Sequence, residues 1–375
     1  MEIGDLSTPS FILDLDQLQR NIAEMSQISE ENKKELWPMT KTHKSSKIAK
    51  MQAQAGAKGF LTGTLDEAEK LIEAGLENIM LAYPVAGSAN VERVIKLGRK
   101  ANLIASFDGP EAAEELNTAL EKNKQKMKYL LLIDCGFGRF GVSPEQALDL
   151  RQKMQGYGHL KFVGISTHPG QVYGAANFKE VLQAAEKEGN ALEKARKILT
   201  ANGFEVKIVA TGSTPTAKTL AKSEQITVLR PGNYVFYDQM QKKMGVTTAG
   251  SCALTVLATI ISNPRPNLFI MDAGSKVLGL DRGAHGVSLV EGYGKIKGYP
   301  DHIITGLSEE VGKIESRAAG RLRVGQQIQI VPNHACAAAN NTSFFLGCRK
   351  GKVEEVLEVD LRGGSHWRWG GFQLR

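Results

Sequence analysis

The sequence predicts an α/β protein, a (β/α)8 TIM barrel with a second, mainly β domain. Three observations carry this. Eight strand-like apolar runs alternate with amphipathic helical stretches over roughly 230 residues, the pattern such a barrel needs. No Gly-x-Gly-x-x-Gly follows the first run, as an open dinucleotide-binding sheet would require. From about residue 245 the texture changes to short β-rich runs separated by turn residues, with weak helical periodicity. A chain of 375 residues, 42% hydrophobic and 23% charged, can bury two moderate cores. The expected domains are a barrel at 15–244 and a β domain made of 1–14 plus 245–375.

In order, residues 7–15 read as an opening strand leading into a helix at 18–29 with apolar residues at helical spacing. The eight barrel strands are expected at 36–41, 59–64, 78–83, 102–107, 129–135, 162–167, 207–211 and 227–230. Stretches rich in Ala, Glu, Lys and Leu, such as 65–74 and 144–155, fill the intervals as helices. The second domain is expected to place strands at 253–261, 268–272, 287–289, 328–331 and 356–361. A closed barrel has no edge left for another strand, so the opening strand is a candidate to join that second sheet.

Composition narrows the partners. The net charge of +7 comes from scattered lysines rather than a basic cluster interleaved with aromatics, which points to anionic small molecules and away from nucleic acid. No stretch approaches the ~20 apolar residues of a membrane span, and no basic segment leads into an apolar run at the N-terminus, so the expected compartment is the cytoplasm. The four cysteines, Cys135, Cys252, Cys336 and Cys348, form no Cys-x-x-Cys pair. A cysteine with a role would act as a thiolate.

A barrel keeps its chemistry at the carboxyl ends of its strands. Those ends read Lys41, Thr64, Tyr83, Asp108, Arg139, His168, Ser213-Thr214, and Arg230 followed by Gly232-Asn233-Tyr234. One lysine, two arginines, a histidine and two small-residue turns on one mouth suit a phosphorylated cofactor carrying an aldehyde. Thr211-Gly212-Ser213-Thr214-Pro215-Thr216 follows a strand and opens a helix, where glycine admits an anion and the free N–H groups favour phosphate. A plain helix cap has the same composition. Arg230-Pro231-Gly232-Asn233-Tyr234 offers a second set of backbone donors beside it. Lys41 across the mouth then becomes a candidate Schiff-base lysine for pyridoxal 5′-phosphate, although Lys44 and Lys47 by themselves read equally well as a solvated helix face.

In the second domain, Pro332-Asn333-His334-Ala335-Cys336 places an imidazole and a thiol two residues apart. In an extended segment they share one face and can share one metal, with zinc favoured over magnesium or calcium. By itself the pair is also compatible with a buried strand and an incidental histidine.

Together these segments resemble the fold-type III pyridoxal phosphate enzymes of the metal-dependent D-serine dehydratase and D-threonine aldolase group, relatives of alanine racemase in their barrel. The carriers are Ser7-Thr8-Pro9, Lys41-Thr42-His43-Lys44, Asp134-Cys135-Gly136-Phe137-Gly138-Arg139, Thr167-His168-Pro169-Gly170 with Tyr173, Gly212-Ser213-Thr214-Pro215-Thr216, Arg230-Pro231-Gly232-Asn233-Tyr234, Asp272-Ala273-Gly274-Ser275-Lys276 and Pro332-Asn333-His334-Ala335-Cys336. The resemblance implies that Lys41 holds the cofactor and that Arg139 lies near its phenolic oxygen. It implies Tyr173 and Arg230 beside the ring, Arg230 toward the pyridine nitrogen. Ser213, Thr214, Gly232 and Asn233 would lie at the phosphate, and His334 and Cys336 at a zinc ion. His168 and Tyr234 complete the expected cofactor set.

Cys336, where aldolases of the group usually have Asp, together with the Thr-His-Pro-Gly…Tyr segment, implies the dehydratase branch. The expected reaction is β-elimination from a D-3-hydroxy amino acid, D-serine first, giving a 2-oxo acid and ammonia. The alternatives are cleavage of D-threonine or D-3-hydroxyaspartate to glycine and an aldehyde, racemisation, a non-catalytic pyridoxal phosphate carrier, or a metal-free barrel enzyme for sugar phosphates. Kinship implies a homodimer. Four positions depart from the family pattern: Trp37 and Met39 before the lysine motif, Gln171 after Gly170, and Val311 in Glu309-Glu310-Val311-Gly312.

Overall fold

The computed structural model describes residues 1–317 and 322–362. The last residues of the expected second domain, 363–375, and its stretch 318–321 lie outside the described residues.

Strand β1 (Ser10–Asp14) comes first. Asp14 ends it and starts the next helix, accepting a hydrogen bond from Gln17 N at 2.9 Å to cap Leu15–Glu31. Eight parallel strands follow: β2 (Glu35–Leu36), β3 (Phe60–Thr62), β4 (Asn78–Leu81), β5 (Asn102–Phe107), β6 (Met127–Leu132), β7 (Leu160–Ser166), β8 (Ile208–Thr211) and β9 (Val228–Leu229). They form one sheet in the order β2-β9-β8-β7-β6-β5-β4-β3. An α-helix follows each strand: Ser46–Gln54, Leu65–Glu73, Ser88–Gly98, Pro110–Lys122, Ala147–Lys153, Phe178–Ala201, Thr214–Leu220 and Gln239–Lys243.

The two ends of this sheet meet. Extended residues after β2 donate Trp37 N to Leu229 O and Met39 N to Pro231 O on one side. On the other side Leu36 O and Pro38 O accept from Lys58 N and Leu61 N, and Met39 bridges Leu61 in parallel. The sheet therefore approximates a (β/α)8 barrel with an irregular seam. Its interior holds Trp37, Met39, Leu61, Met80, Ile104, Leu130, Val163, Ala210 and Val228. The Trp37 ring lies where a Cβ on Gly59 would stand only 2.7 Å away, so residue 59 must lack one.

The second sheet is mostly antiparallel. Its strands are β1 with β10 (Leu254–Arg265), β11 (Leu268–Met271), β12 (Lys295–Ile296), β13 (His302–Leu307), β14 (Gly312–Ser316), β15 (Gln327–Val331), β16 (Phe344–Arg349) and β17 (Lys352–Glu358). The order is β11-β14-β13-β12-β15-β10-β1-β16-β17, and β11 also pairs with β10. Strands β10 to β15 thus close on themselves, and β1, β16 and β17 extend the wall. Ile12 faces Thr255 on antiparallel β10 and Leu346 on parallel β16.

Two expectations are corrected. Residues 287–289 form no strand: His285 and Gly286 adopt positive φ, and Leu289 N and Val290 N both return to Arg282 O, which folds the short apolar run into a turn. Lys41 does not end a strand. The regular strand ends at Leu36, irregular pairing runs on to Met39, and Thr40–Thr42 coils into a 3-10 turn that carries Lys41.

Candidate active site

A cavity of about 460 Å3 opens at the carboxyl ends of the parallel strands, between the barrel and the second sheet. Lys41, Arg139, His168, Tyr173, Ser213, Thr214, Arg230, Gly232, Asn233, His334 and Cys336 all line it. Tyr234 does not. Its ring is fully buried and its hydroxyl accepts from Gln52 Nε2 at 2.8 Å; only its backbone N–H reaches a site residue, donating to Thr214 Oγ1 at 3.1 Å. Of the four departing positions Met39 lines the cavity, whereas Trp37, Gln171 and Val311 are not among its lining residues.

The loop before Arg139 is built by Asp134. Its Oδ1 accepts Gly136 N at 2.9 Å, Phe137 N at 2.9 Å and Gly138 N at 3.1 Å, a tight wrap that the positive φ of Gly136 and Gly138 permits. Arg139 thereby lies 4.9 Å from the Phe137 ring centre and 5.5 Å from that of Tyr83. Gln171, from the turn after β7, donates to Cys135 O at 2.9 Å and braces the same loop.

The expected phosphate turns are adjacent. Ser213 precedes the helix Thr214–Leu220 with no side-chain cap bond, Pro215 stands in its first turn, and Gly212 has φ of +96°. Glu188, fully buried beneath, accepts Gly212 N at 3.0 Å and the Thr211 hydroxyl. Burial pushes the Glu188 carboxyl up to about 7. Arg230 is buried, donates to Thr167 O, and is pulled down to about 10 by burial, with Glu188 opposing. A Cβ on Gly232 would stand 2.9 Å from Thr42 Oγ1, so this turn packs directly on the residue after Lys41.

Several buried polar atoms here have no protein partner: His168 Nε2, Arg230 Nε and Asn233 Oδ1. Such orphans imply a polar occupant. Burial, with Lys41 and Arg139 nearby, holds His168 well below its ordinary value, so it is neutral. A lysine amine, a buried guanidinium and two small-residue turns fit a phosphorylated aldehyde.

The second sheet supplies the opposite wall. His334 is the extended residue before the helix Ala335–Ala339, and Cys336 lies in its first turn, so the pair shares a face across a helix start rather than along a strand. His334 Nδ1 is 2.6 Å from Asp281 Oδ2, which leaves Nε2 as the nitrogen available to a ligand. Orienting an imidazole through its other nitrogen is the usual arrangement for a metal-binding histidine. Burial raises the Cys336 thiol, but the adjacent His334 charge and the hydrogen bonds from His334 and Thr42 together outweigh it and draw the group toward thiolate. Thr42 Oγ1 is 3.3 Å from Cys336 Sγ, and Asn233 Nδ2 donates to the same sulfur at 3.6 Å. Among the described residues no third His, Cys, Asp or Glu joins them as a metal-holding group. An imidazole and a thiolate with open positions fit a soft divalent ion that also binds water or substrate.

Residues not anticipated from sequence also belong here. His285 lines the cavity, its ring centre 4.8 Å from Phe137, 5.4 Å from Tyr173 and 6.1 Å from His168. Partial burial, with Lys41 and Arg139 close by, pulls it down to about 4. Glu67, fully buried, accepts Gly63 N at 2.8 Å and Thr40 Oγ1 at 3.1 Å, and lies 3.5 Å from Lys44 Nζ. An Asp and a His within Asp281-Arg282-Gly283-Ala284-His285-Gly286, a glycine-rich loop, are the signal that could have found the first of these.

The alanine racemase N-terminal domain matches residues 13–239, and a serine dehydratase domain matches 253–348. D-threo-3-hydroxyaspartate dehydratase of Delftia sp. is 32% identical over 349 residues, covering 88% of this chain and 91% of that protein. D-serine dehydratase of Dictyostelium discoideum is 29% identical, covering 98% of each. The crystal structure of D-threonine aldolase from Filomicrobium marinum superposes with a TM-score of 0.86 at 26% identity, covering 97% of each chain. The fold is thus that of the alanine racemase-like pyridoxal phosphate proteins, and the chain belongs to the fold-type III pyridoxal phosphate family. Within it, the chain falls with the lyases that join an alanine racemase N-terminal domain to a serine dehydratase domain. Among the described residues no helix is long and apolar enough to cross a membrane.

Proposed function

We propose that the chain is a pyridoxal phosphate- and zinc-dependent dehydratase of D-3-hydroxy amino acids, D-serine first, releasing a 2-oxo acid and ammonia. The observation that carries the proposal is that Lys41 and the His334–Cys336 pair line one cavity, with Thr42, the residue after Lys41, within 3.3 Å of the Cys336 sulfur. In this reading 15–244 is a (β/α)8 barrel that holds the cofactor. Residues 1–14 plus 245–375 form the domain that holds the metal, and the enzyme works as a cytoplasmic homodimer.

When bound, the cofactor supplies an electron sink for the α-carbon and the ion a Lewis acid for the substrate hydroxyl. Lys41 Nζ would hold the cofactor aldehyde, and as a free amine it would be the base that takes the proton from the α-carbon. Ser213, Thr214, Gly232 and Asn233 would hold the phosphate, and Arg230 would serve the ring nitrogen. Arg139, whose guanidinium lies against the rings of Tyr83, Phe137 and Phe140, would bind an anionic oxygen. Asp281, bonded to His334 Nδ1, would fix the tautomer that leaves Nε2 to hold the ion.

His285 gives the aldolase reading a specific footing. Carbon–carbon cleavage needs a base for the 3-hydroxyl proton, and His285 is a neutral imidazole at the cavity rim. D-Serine, D-threonine and D-3-hydroxyaspartate assayed for 2-oxo acid and for aldehyde separate the two. The dehydratase gives 2-oxo acid from D-serine; aldehyde from D-threonine without 2-oxo acid from D-serine would replace it with the aldolase.

A further inference from the structure

We propose that Asp238 couples the two bound groups, so that uptake of the phosphate cofactor at the 230–233 turn and uptake of the metal at His334 and Cys336 strengthen each other. The inference rests on the function proposed above and concerns a residue that touches neither group.

Asp238 is fully buried at the junction between the barrel and the second sheet. Its two oxygens are shared among three segments. Oδ2 accepts Asn233 Nδ2 at 2.8 Å and Ala335 N at 2.9 Å, while Oδ1 accepts Gln241 N at 3.0 Å. One carboxylate therefore starts its own helix, ties down a phosphate-turn side chain, and holds the backbone N–H between the two candidate metal ligands. The same junction is stitched by Gln239 N to Pro332 O and Met240 N to Asn333 O. Asn233 belongs to both sides, since its Nδ2 also reaches the Cys336 sulfur at 3.6 Å while its buried Oδ1 has no protein partner.

The physical consequence follows from rigidity. A phosphate that fixes Asn233 fixes the oxygen bonded to it, and through that oxygen the N–H of Ala335, whose neighbours on either side are His334 and Cys336. Ordering that is completed by the first ligand need not be repeated by the second, which makes the two binding events mutually favourable and, by thermodynamic reciprocity, equally so in both directions. Only a carboxylate serves all three donors. An amide turned either way would present its NH2 to Asn233 and Ala335 or to Gln241.

The test measures binding. Protein stripped of pyridoxal phosphate with hydroxylamine, and the same protein reloaded, are titrated with zinc against a chromophoric chelator; cofactor uptake is followed by absorbance with and without zinc. In the wild type the zinc Kd is expected to fall on the order of tenfold with cofactor bound, and the cofactor Kd by the same factor with zinc. Asp238→Asn should reduce that factor to within about twofold of unity while both groups still bind, whereas a purely structural cap would lower stability and leave the factor intact. Should Asp238→Asn not fold, Asn233→Ala decides, since it cuts the link and leaves Asp238 capping both helices. Independent binding in the wild type, or an undiminished factor in the variants, overturns the coupling alone. A wild type that takes up neither group removes the proposed function and the coupling with it.

Discussion

The two walls of the cavity are made in opposite ways. The barrel wall draws on six separate strand ends, and its residues stand on neighbouring elements that are themselves buried. The facing wall depends on one five-residue helix and one loop, joined to each other through the 2.6 Å contact of Asp281 with His334 and the bond from Asn333 Nδ2 to Asp281 O at 3.1 Å. The cofactor side is thus spread over many elements, and the metal side is concentrated in one short segment tied to residues 238–240 and to the Asp281 loop. Damage should be graded accordingly: a substitution behind the barrel wall alters stability or its pH dependence, whereas one behind the facing wall alters affinity for the metal.

The largest effect should come from Lys41→Ala. It is expected to remove the visible absorbance of the bound cofactor and lower turnover by a factor on the order of 10^3 or more, and an unchanged spectrum would break the comparison at its root.

Glu188→Gln probes the support beneath the barrel wall. The folded carboxyl titrates at about 7 against its ordinary 4.5, so its contribution to stability is fully present below about 4.5 and is lost as pH rises through about 7. Urea unfolding at pH 5 and pH 8 should show wild-type stability declining over this range. The variant's curve should be flatter, with a difference of up to about 3 kcal/mol. Parallel profiles would show that Glu188 has no such role.

On the facing wall, His285→Asn tests the aldolase reading: it should slow aldehyde release from D-threonine by about 10^2-fold with cofactor absorbance and metal content unchanged. Full activity would remove His285 from the proton chemistry. Asp281→Asn should weaken zinc binding by about 10- to 100-fold while leaving the cofactor spectrum as it was. An equal loss of cofactor would show that the two walls are less separable than their construction suggests.

The barrel wall was legible in the sequence for a reason that the other wall lacks. Strand-to-helix alternation places the residue after each strand at one mouth whatever the intervening length, so Arg139, His168, Ser213 and Arg230 could be gathered without knowing a single contact. Asp281 and His334, 53 positions apart, meet because of turns that leave no period in the sequence. The same holds for Asp238 and Ala335, separated by 97 positions. His285 was missed because residues 287–289 read as a strand, while the positive φ of His285 and Gly286 makes that stretch a turn. Lys41 was assigned to the right mouth by a wrong local route, since a 3-10 turn and not a strand end carries it. Tyr234 shows the reverse error: it is placed beside Asn233 in sequence, yet its ring points into the wall toward Gln52.

Strand β1 has a consequence for how the protein is made. The ribosome releases Phe11, Ile12 and Leu13 first, yet their partners are Val256, Thr255 and Leu254 on one side and, for Ile12 and Leu13, Leu346 and Gly347 on the other. At ordinary synthesis rates those partners emerge tens of seconds later. Throughout that interval a short greasy ribbon waits with both edges bare, ahead of a barrel that can already assemble behind it. Removing β1 would undo a sheet whose partner strands β10 and β16 are translated only after the barrel.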